Sequence, residues 1–438
     1  MGSPLVIASS PRYLSVLLAL CLWATGAPTG CGSPKLSAPP TTAQAQAVST
    51  SASPAPTRPR GLWVLCEGSQ RVLEHPSRVA PLLETASALA VTDLFVQVHR
   101  GGKSWYASGY ADPSPHQAML EASGGADPLA DLIERAHARG IRVHAWVNVL
   151  SLSQNPDAPI LEALGPGAVL VDRAGRSILD YPDFEVPAPD RQWYRMGTRG
   201  VYLDPAAPGV AETLTATFAE LVAAYPELDG LHLDYIRHPG VLPFVPGSRF
   251  GVGLDFGYGL ASRVRFGRET GLPGPYRSRE NPSPDALVNT AAWDAWRRDK
   301  VTELVASIAA ASRAARPGLV VSAAVIAYAD RAYLSLAQDW MGWLEEGLID
   351  LAIPMAYTKD DRLLGYQLEG FGRSVNAARI WPGLGVWLFA RSPGRAVAQV
   401  EAARAAGVAG DVLFSYDAIA EAPGLEAALA AAPAGGSH

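Results

Sequence analysis

One stretch, LDGLHLDYIRHP at residues 228–239, concentrates the groups best able to do chemistry. It reads as a short buried strand, on which alternate side chains share a face. His232 and Asp234 therefore point one way, while Leu231, Leu233 and Tyr235 point the other. A carboxylate near the end of an apolar strand is costly to bury unless it has partners or a task. Its structural use would be an ion pair with Arg237 or a neighbouring strand; its chemical use would be as a nucleophile or as a stabiliser of positive charge. Acid/base cleavage needs a second carboxyl. Glu67 leaves the first apolar strand on the parity of Trp63 and Leu65, Asp360 and Asp361 follow the sixth strand, and Asp417 follows the eighth, where it could equally cap a helix. Asp204, in Leu203-Asp204-Pro205, reads as a turn or cap device. A different chemistry stays open, because His99, His144 and His232 fall on strands two, three and four with inward parity beside Asp234. Imidazoles and a carboxylate converging in a barrel can hold a divalent metal. Hydrogen-bonded core histidines are the plainer account, so no metal ligand and no cofactor is assigned.

These side chains need a scaffold. From Arg60 onward β-like and helix-like segments alternate, the pattern of an α/β fold with a parallel sheet. The strands are expected at residues 61–66, 93–99, 141–147, 230–235, 319–325, 349–355, 380–387 and 411–416. Helices are expected at 129–139, 208–225, 293–315, 338–346, 393–406 and 418–431, the first opened by Asp127-Pro128 and closed by Gly140. Eight βα units predict a TIM (β/α)8 barrel. A doubly wound sheet would want a glycine-rich turn after the first strand, where Cys66-Glu67-Gly68-Ser69 stands instead. The barrel places Asp234 at the strand end where active sites of this fold are built. Connections 148–207 and 237–292 are too long for ordinary loops and leave that same face. They predict two lobes walling a groove, the first carrying Trp193 and Tyr194, the second Phe244, Phe250, Phe256 and Tyr258. Trp146, Asn148, Tyr235, Trp387 and Tyr416 lie at or near strand ends, a grouping of aromatic platforms and a planar hydrogen bonder suited to sugar rings.

The chain has 438 residues and a net charge of −6, which sets a nucleic-acid-binding face aside. Residues 13–27, YLSVLLALCLWATGA, follow Arg12 as an export signal and are short for a membrane span. Pro28-Thr29-Gly30-Cys31 resembles a lipobox, with Cys31 lipidated; secretion without lipid is the alternative. Residues 32–58 form a Pro/Ala/Ser/Thr tether, 59–431 the barrel domain and 432–438 a tail. The membrane is therefore an expected partner through a lipid anchor, at the cell envelope. After Cys31, Cys66 stands alone, so no disulfide framework is expected.

Several blocks, among them RGLWV (60–64), FVQVHRGGKSWYAS (95–108), GIRVHAWVN (140–148), YLDPAAPGV (202–210), QDWMGWLEEGLIDLAIPMAYT (338–358) and PGLGVWLF (382–389), occur in order with DGLHLDYIRHP between them. Together they resemble the bacterial glycosyl hydrolase-like ten family of exported TIM barrels. The resemblance implies a glycoside hydrolase acting on envelope polysaccharide such as peptidoglycan glycan strands, with Gln97, His99 and Arg237 among the residues contacting sugar. Where that family has arginine after Gln-Val on the second strand, this chain has His99, with Arg100 one position later and on the opposite parity. Such cleavage uses two carboxyls about 5 Å apart for retention, or about 6.5–9.5 Å for inversion. Chitinase-type barrels offer a check: their D-G-x-D-x-D-x-E strand laid on residues 229–236 ends at Ile236, so their acid is missing. Met355-Ala356-Tyr357 does resemble the Met-x-Tyr of their sixth strand, which implies that Tyr357 touches substrate. The expected catalytic set is Asp234 with Glu67 or Asp360, and no organic cofactor. Two alternatives remain: a polysaccharide-binding barrel without catalysis, and a metal-dependent hydrolase or deacetylase.

Overall fold

The computed structural model describes residues 58–188, 190–243, 254–277 and 287–432. The expected export signal, Cys31, the tether up to residue 57, Phe244, Phe250 and residues 433–438 lie outside the described residues. Eight strands form the barrel: β1 (Arg60–Val64), β2 (Asp93–Arg100), β3 (Arg142–Asn148), β4 (Gly230–Asp234), β5 (Val320–Ile326), β6 (Leu351–Met355), β7 (Gly383–Leu384) and β8 (Asp411–Leu413). Each pairs in parallel with the next, and β1 pairs with both β2 and β8, which closes the sheet. The fold is a TIM barrel.

Local chemistry sets the helices between the strands. Asp127 accepts from the Leu129 and Ala130 N–H groups, Pro128 opens the helix Pro128–His137, and Gly140 follows it with φ 71°. The expected seventh strand shrinks to two residues, because Pro382 has no N–H for a ladder and Val386–Phe389 coils into a 3₁₀ turn. The last predicted helix is two, Tyr416–Ala420 and Pro423–Ala431, divided ahead of a proline that cannot continue the first.

Large and small residues interlock inside the barrel. Trp63, Phe95 and Trp146 fill it from β1, β2 and β3, against Ala324 and Val412. The opposing positions must be bare: a Cβ on Gly230 would lie 2.1 Å from His144 Nδ1, and one on Gly383 2.6 Å from Trp63. His232 sits in this packing, accepting from Trp63 Nε1–H at Nε2 (3.1 Å), with Nδ1 2.9 Å from Ser322 Oγ. An indole nitrogen only donates, so the His232 proton resides on Nδ1. Burial holds this imidazole well below its ordinary pKa, and nearby His144 adds to that.

Two features differ from the sequence reading. Gln97 pairs with Trp146 but His99 pairs with Val147, so a β-bulge interrupts β2 and reverses the parity of everything after it. The two long insertions do not form opposed lobes. Residues 194–196 pair with 241–243, Asp172 bridges to Phe256, and Ser262 donates to Asp204 across 2.5 Å. They make one joined lobe.

Candidate active site

Asp234 ends β4 at the barrel mouth and is 6% exposed. Oδ2 accepts from Trp146 Nε1–H at 3.2 Å, and Oδ1 accepts from the Tyr235 N–H at 2.6 Å. Tyr235 itself adopts φ 51°, a left-handed conformation unusual for an aromatic residue and of the kind found at functional sites. Burial raises the Asp234 carboxyl above the ordinary aspartate value, against the opposing pull of Arg237, the two N–H donors and Arg100. A carboxyl so placed keeps its proton to higher pH than a surface aspartate.

Around it the mouth is polar and aromatic. Arg237 lies over the Tyr235 ring at 5.0 Å and donates to the His238 carbonyl. Tyr357 packs against Phe414 and Trp63, and burial, reinforced by Asp234 and Tyr235, holds its hydroxyl protonated. Trp387, 47% exposed, approaches the same glycine, Gly385, as Tyr357 does. A cleft of about 520 Å³ opens beside these groups, lined by Glu67, Arg100, Lys103, Asn148, Asn155 and Tyr235 among others. Asn148 is the β3 neighbour of Asp234, and its carbonyl accepts from Gln97 Nε2 at 3.2 Å, while Gln97 Oε1 accepts from the Cys66 thiol. Gln97 is thus spent inside the barrel, orienting Asn148 instead of facing the cleft.

A sequence model of the family described as glycosyl hydrolase-like 10 matches residues 58–367. The chain belongs to the glycosyl hydrolase-like 10 family. Among its relatives, glycosyl hydrolase DigH of Escherichia coli K12 is 26% identical over 291 residues, covering 63% of this chain and 56% of that protein. Glycosyl hydrolase YngK of Bacillus subtilis is 24% identical over 302 residues, covering 65% and 50%. The chain thus spans about half the length of these relatives. In fold it is similar to the PgaB (BpsB) glycoside hydrolase domain of Bordetella bronchiseptica, with TM-score 0.59, 15% identity, and 85% and 98% of the two chains covered. The catalytic domain of a Paenibacillus polymyxa β-amylase follows at TM-score 0.51, 12% identity, and 82% and 93% covered.

The bulge bears on the family's second-strand arginine. His99 is turned out of the barrel, 4% exposed, edge-on to Phe218 and 3.4 Å from the Tyr106 hydroxyl. Its expected sugar contact is therefore corrected: it is a core residue whose burial lowers its pKa to about 4. Arg100, which simple alternation would send the other way, instead reaches the mouth and holds Glu67 at 3.0 Å. A signal for this existed in Gly101-Gly102, both at positive φ, which turn the chain into a short hairpin on β2. The same bulge dissolves the metal constellation. His99 lies outside the barrel, His144 sits lower on Asp93, and His232 is spent on Trp63 and Ser322.

Other expected site residues separate into two groups. Glu67, Asn148, Tyr235, Arg237, Tyr357 and Trp387 gather with Asp234 at the mouth. Trp146 is buried in the barrel interior and serves Asp234 through its N–H, so it offers no open face to a sugar. Asp360 is corrected from catalyst to cap: it is exposed and accepts from the Arg362 and Leu363 N–H groups at the start of helix Asp361–Gly372. Asp361 is an exposed partner of Arg395. Tyr416 is corrected too, since it turns outward into the helical layer, near Glu84 and Glu426. Asp417 accepts from the Gln70 N–H and so ties down the loop after β1. Asp204 serves the joined lobe, as a turn device that also accepts from the Ala206 N–H. Sequence reasoning missed Lys103, which reaches the cleft from the hairpin on β2, and Asn155 and Arg199, which reach it from loops.

Proposed function

We propose that this protein is a glycoside hydrolase that cleaves a cell-envelope polysaccharide, such as the glycan strands of peptidoglycan, by carboxylate acid/base catalysis. The observation that carries the reading is Asp234, a buried carboxyl raised in pKa at the barrel mouth, whose neighbours Asn148 and Tyr235 line a polar cleft. A raised carboxyl is fit to give its proton to the glycosidic oxygen as the bond to the anomeric carbon breaks. Glu67, reaching the cleft from the loop after β1 and held by Arg100, is the remaining acid of those expected; it supports the positive charge that develops on the ring until water adds to the anomeric carbon and gives its proton back to Asp234. Tyr357 and Trp387 supply platform surface, and Asn148 and Arg237 hydrogen-bond donors. The relatives DigH and YngK, both named glycosyl hydrolases, favour glycosidase activity as well. From residues 13–31 we further propose export and lipid anchoring at Cys31.

One observation favours a second reading, a binding barrel without catalysis: Glu67 is 46% exposed at its side chain and already committed to Arg100. Incubating the protein and its Asp234→Asn variant with peptide-free peptidoglycan strands and a panel of envelope polysaccharides, with products sized by mass, separates the two. Cleavage by the parent, lost in the folded variant, supports the enzyme. Binding by both with cleavage by neither leaves the binding barrel, and equal cleavage by both removes Asp234 from the centre.

A further inference from the structure

A larger cavity adjoins the cleft. It measures about 850 Å³ and is lined by the loop after β1 and by the segment following β2, with Trp105, Pro115 and Met119 as an apolar floor and Arg71, Glu74 and Arg78 on its rim. Glu67 lines both spaces, so the Glu67–Arg100 pair forms a sill between them. The rim carries an unbalanced charge. Glu74 offers one oxygen to Arg71 at 2.9 Å and the other to Arg78 at 3.0 Å, so one carboxylate is shared by two half-exposed guanidiniums. Counting both cavities, five arginine and lysine side chains face two glutamates, with Arg199 also held by Glu185 at 2.7 Å, on a chain whose net charge is −6. Basic lining on an acidic protein concentrates anions at that place.

We infer that the polysaccharide is anionic and lies as an extended chain across the Glu67–Arg100 sill, with units remote from the scissile bond seated in the larger cavity and their carboxylates on the Arg71–Glu74–Arg78 rim. The inference rests on the glycan reading of the Asp234 cleft and names its substrate class. An apolar floor beneath a charged rim suits a sugar, whose ring faces are apolar and whose substituents are polar. Guanidiniums engage carboxylates in a fork that a neutral hydroxymethyl group does not reproduce. Binding energy gathered this far from the bond being cut makes long chains better ligands than short ones.

The test uses the full-length Asp234→Asn protein, so that strands bind without turnover, with and without Arg71→Ala/Arg78→Ala. The probes are peptide-free peptidoglycan strands of graded length, and the same strands with their carboxylates reduced to alcohols. The expected result is that long carboxylated strands bind the Asp234→Asn protein better than short ones, that the rim variant loses about tenfold of this advantage, and that reduced strands show none of it. An unchanged length advantage in the rim variant, equal affinity for reduced strands, or no binding by any strand overturns the inference. Cleavage by the parent protein is scored separately. If it fails while the rim effect stands, the hydrolase reading alone falls; if it succeeds while the rim effect is missing, the inference alone falls.

Discussion

Two aspartates share the barrel interior and meet opposite fates. Asp93, at the lower end of β2, is fully buried and surrounded by donors: His144 Nε2 at 2.9 Å, Arg142 at 2.8 Å and the Thr92 hydroxyl at 2.6 Å. Burial would push its carboxyl up, but those partners outweigh burial and hold it below the ordinary value. Asp234, at the upper end of β4, has two N–H donors and only more distant arginines, and there burial wins. The difference lies in supply of partners, not in depth. A barrel satisfies the acid that holds it together and leaves short the acid that can do work.

The largest expected effect divides the two. Asp234→Asn should lower glycan cleavage by about 10³-fold while leaving thermal unfolding unchanged or slightly later, because it removes an under-partnered buried acid. Cleavage rates and a melting curve on the same preparation check it; a large fall in Tm would mean that Asp234 is structural after all. Asp93→Asn should do the reverse, costing about 3 kcal/mol of stability by stranding His144 and Arg142, with the folded fraction still active. Urea unfolding with activity normalised to folded protein measures this.

Stability against pH should separate them further. Asp93, lowered in the fold, contributes stability present above its unfolded pKa and lost as pH falls through its folded pKa. Asp234, raised in the fold, contributes stability present below its unfolded pKa and lost as pH rises through its folded pKa. Melting temperatures from pH 3 to 8 should show Asp93→Asn flattening the loss of stability on the acid side and Asp234→Asn flattening the decline as pH rises beyond it. Trp146→Phe sharpens the same contrast on a smaller scale. It removes an N–H from Asp234 Oδ2, which raises the carboxyl further and moves the basic limb of the pH–kcat profile to higher pH. A shift to lower pH would show that Asp234 does not work as the proton donor. Smallest of all, His99→Leu should cost about 1 kcal/mol through the lost Tyr106 contact and leave cleavage untouched. Any specific loss of activity would return His99 to the site.

Much of this was legible in the sequence, and the rest was hidden for identifiable reasons. Strand and helix alternation, with cues such as Asp127-Pro128 and Gly140, carried the barrel, because hydrophobic period and capping are local properties. Asp234 was legible for the same reason, as a charge at an apolar strand's end. The bulge between Gln97 and His99 was not, since alternation has no sign for one inserted residue, and a single slip exchanges the roles of His99 and Arg100. Asp360 looked like a catalyst because a helix cap and an active-site acid occupy the same position after a strand; only the N–H groups it accepts tell them apart. The joined lobe depends on contacts such as Asp204 with Ser262, between segments that are strangers in the chain.

The interlock inside the barrel reaches into the history of the fold. His144 occupies the space where a side chain at 230 would begin, and Trp63 does the same for position 383. Neither glycine can acquire a side chain unless its partner ring shrinks or withdraws in the same lineage. The two differ in what could release them: at 383 a smaller side chain at 63 would open the space, whereas at 230 the Val320 carbonyl, 2.7 Å from the same point, keeps the position glycine whatever stands at 144.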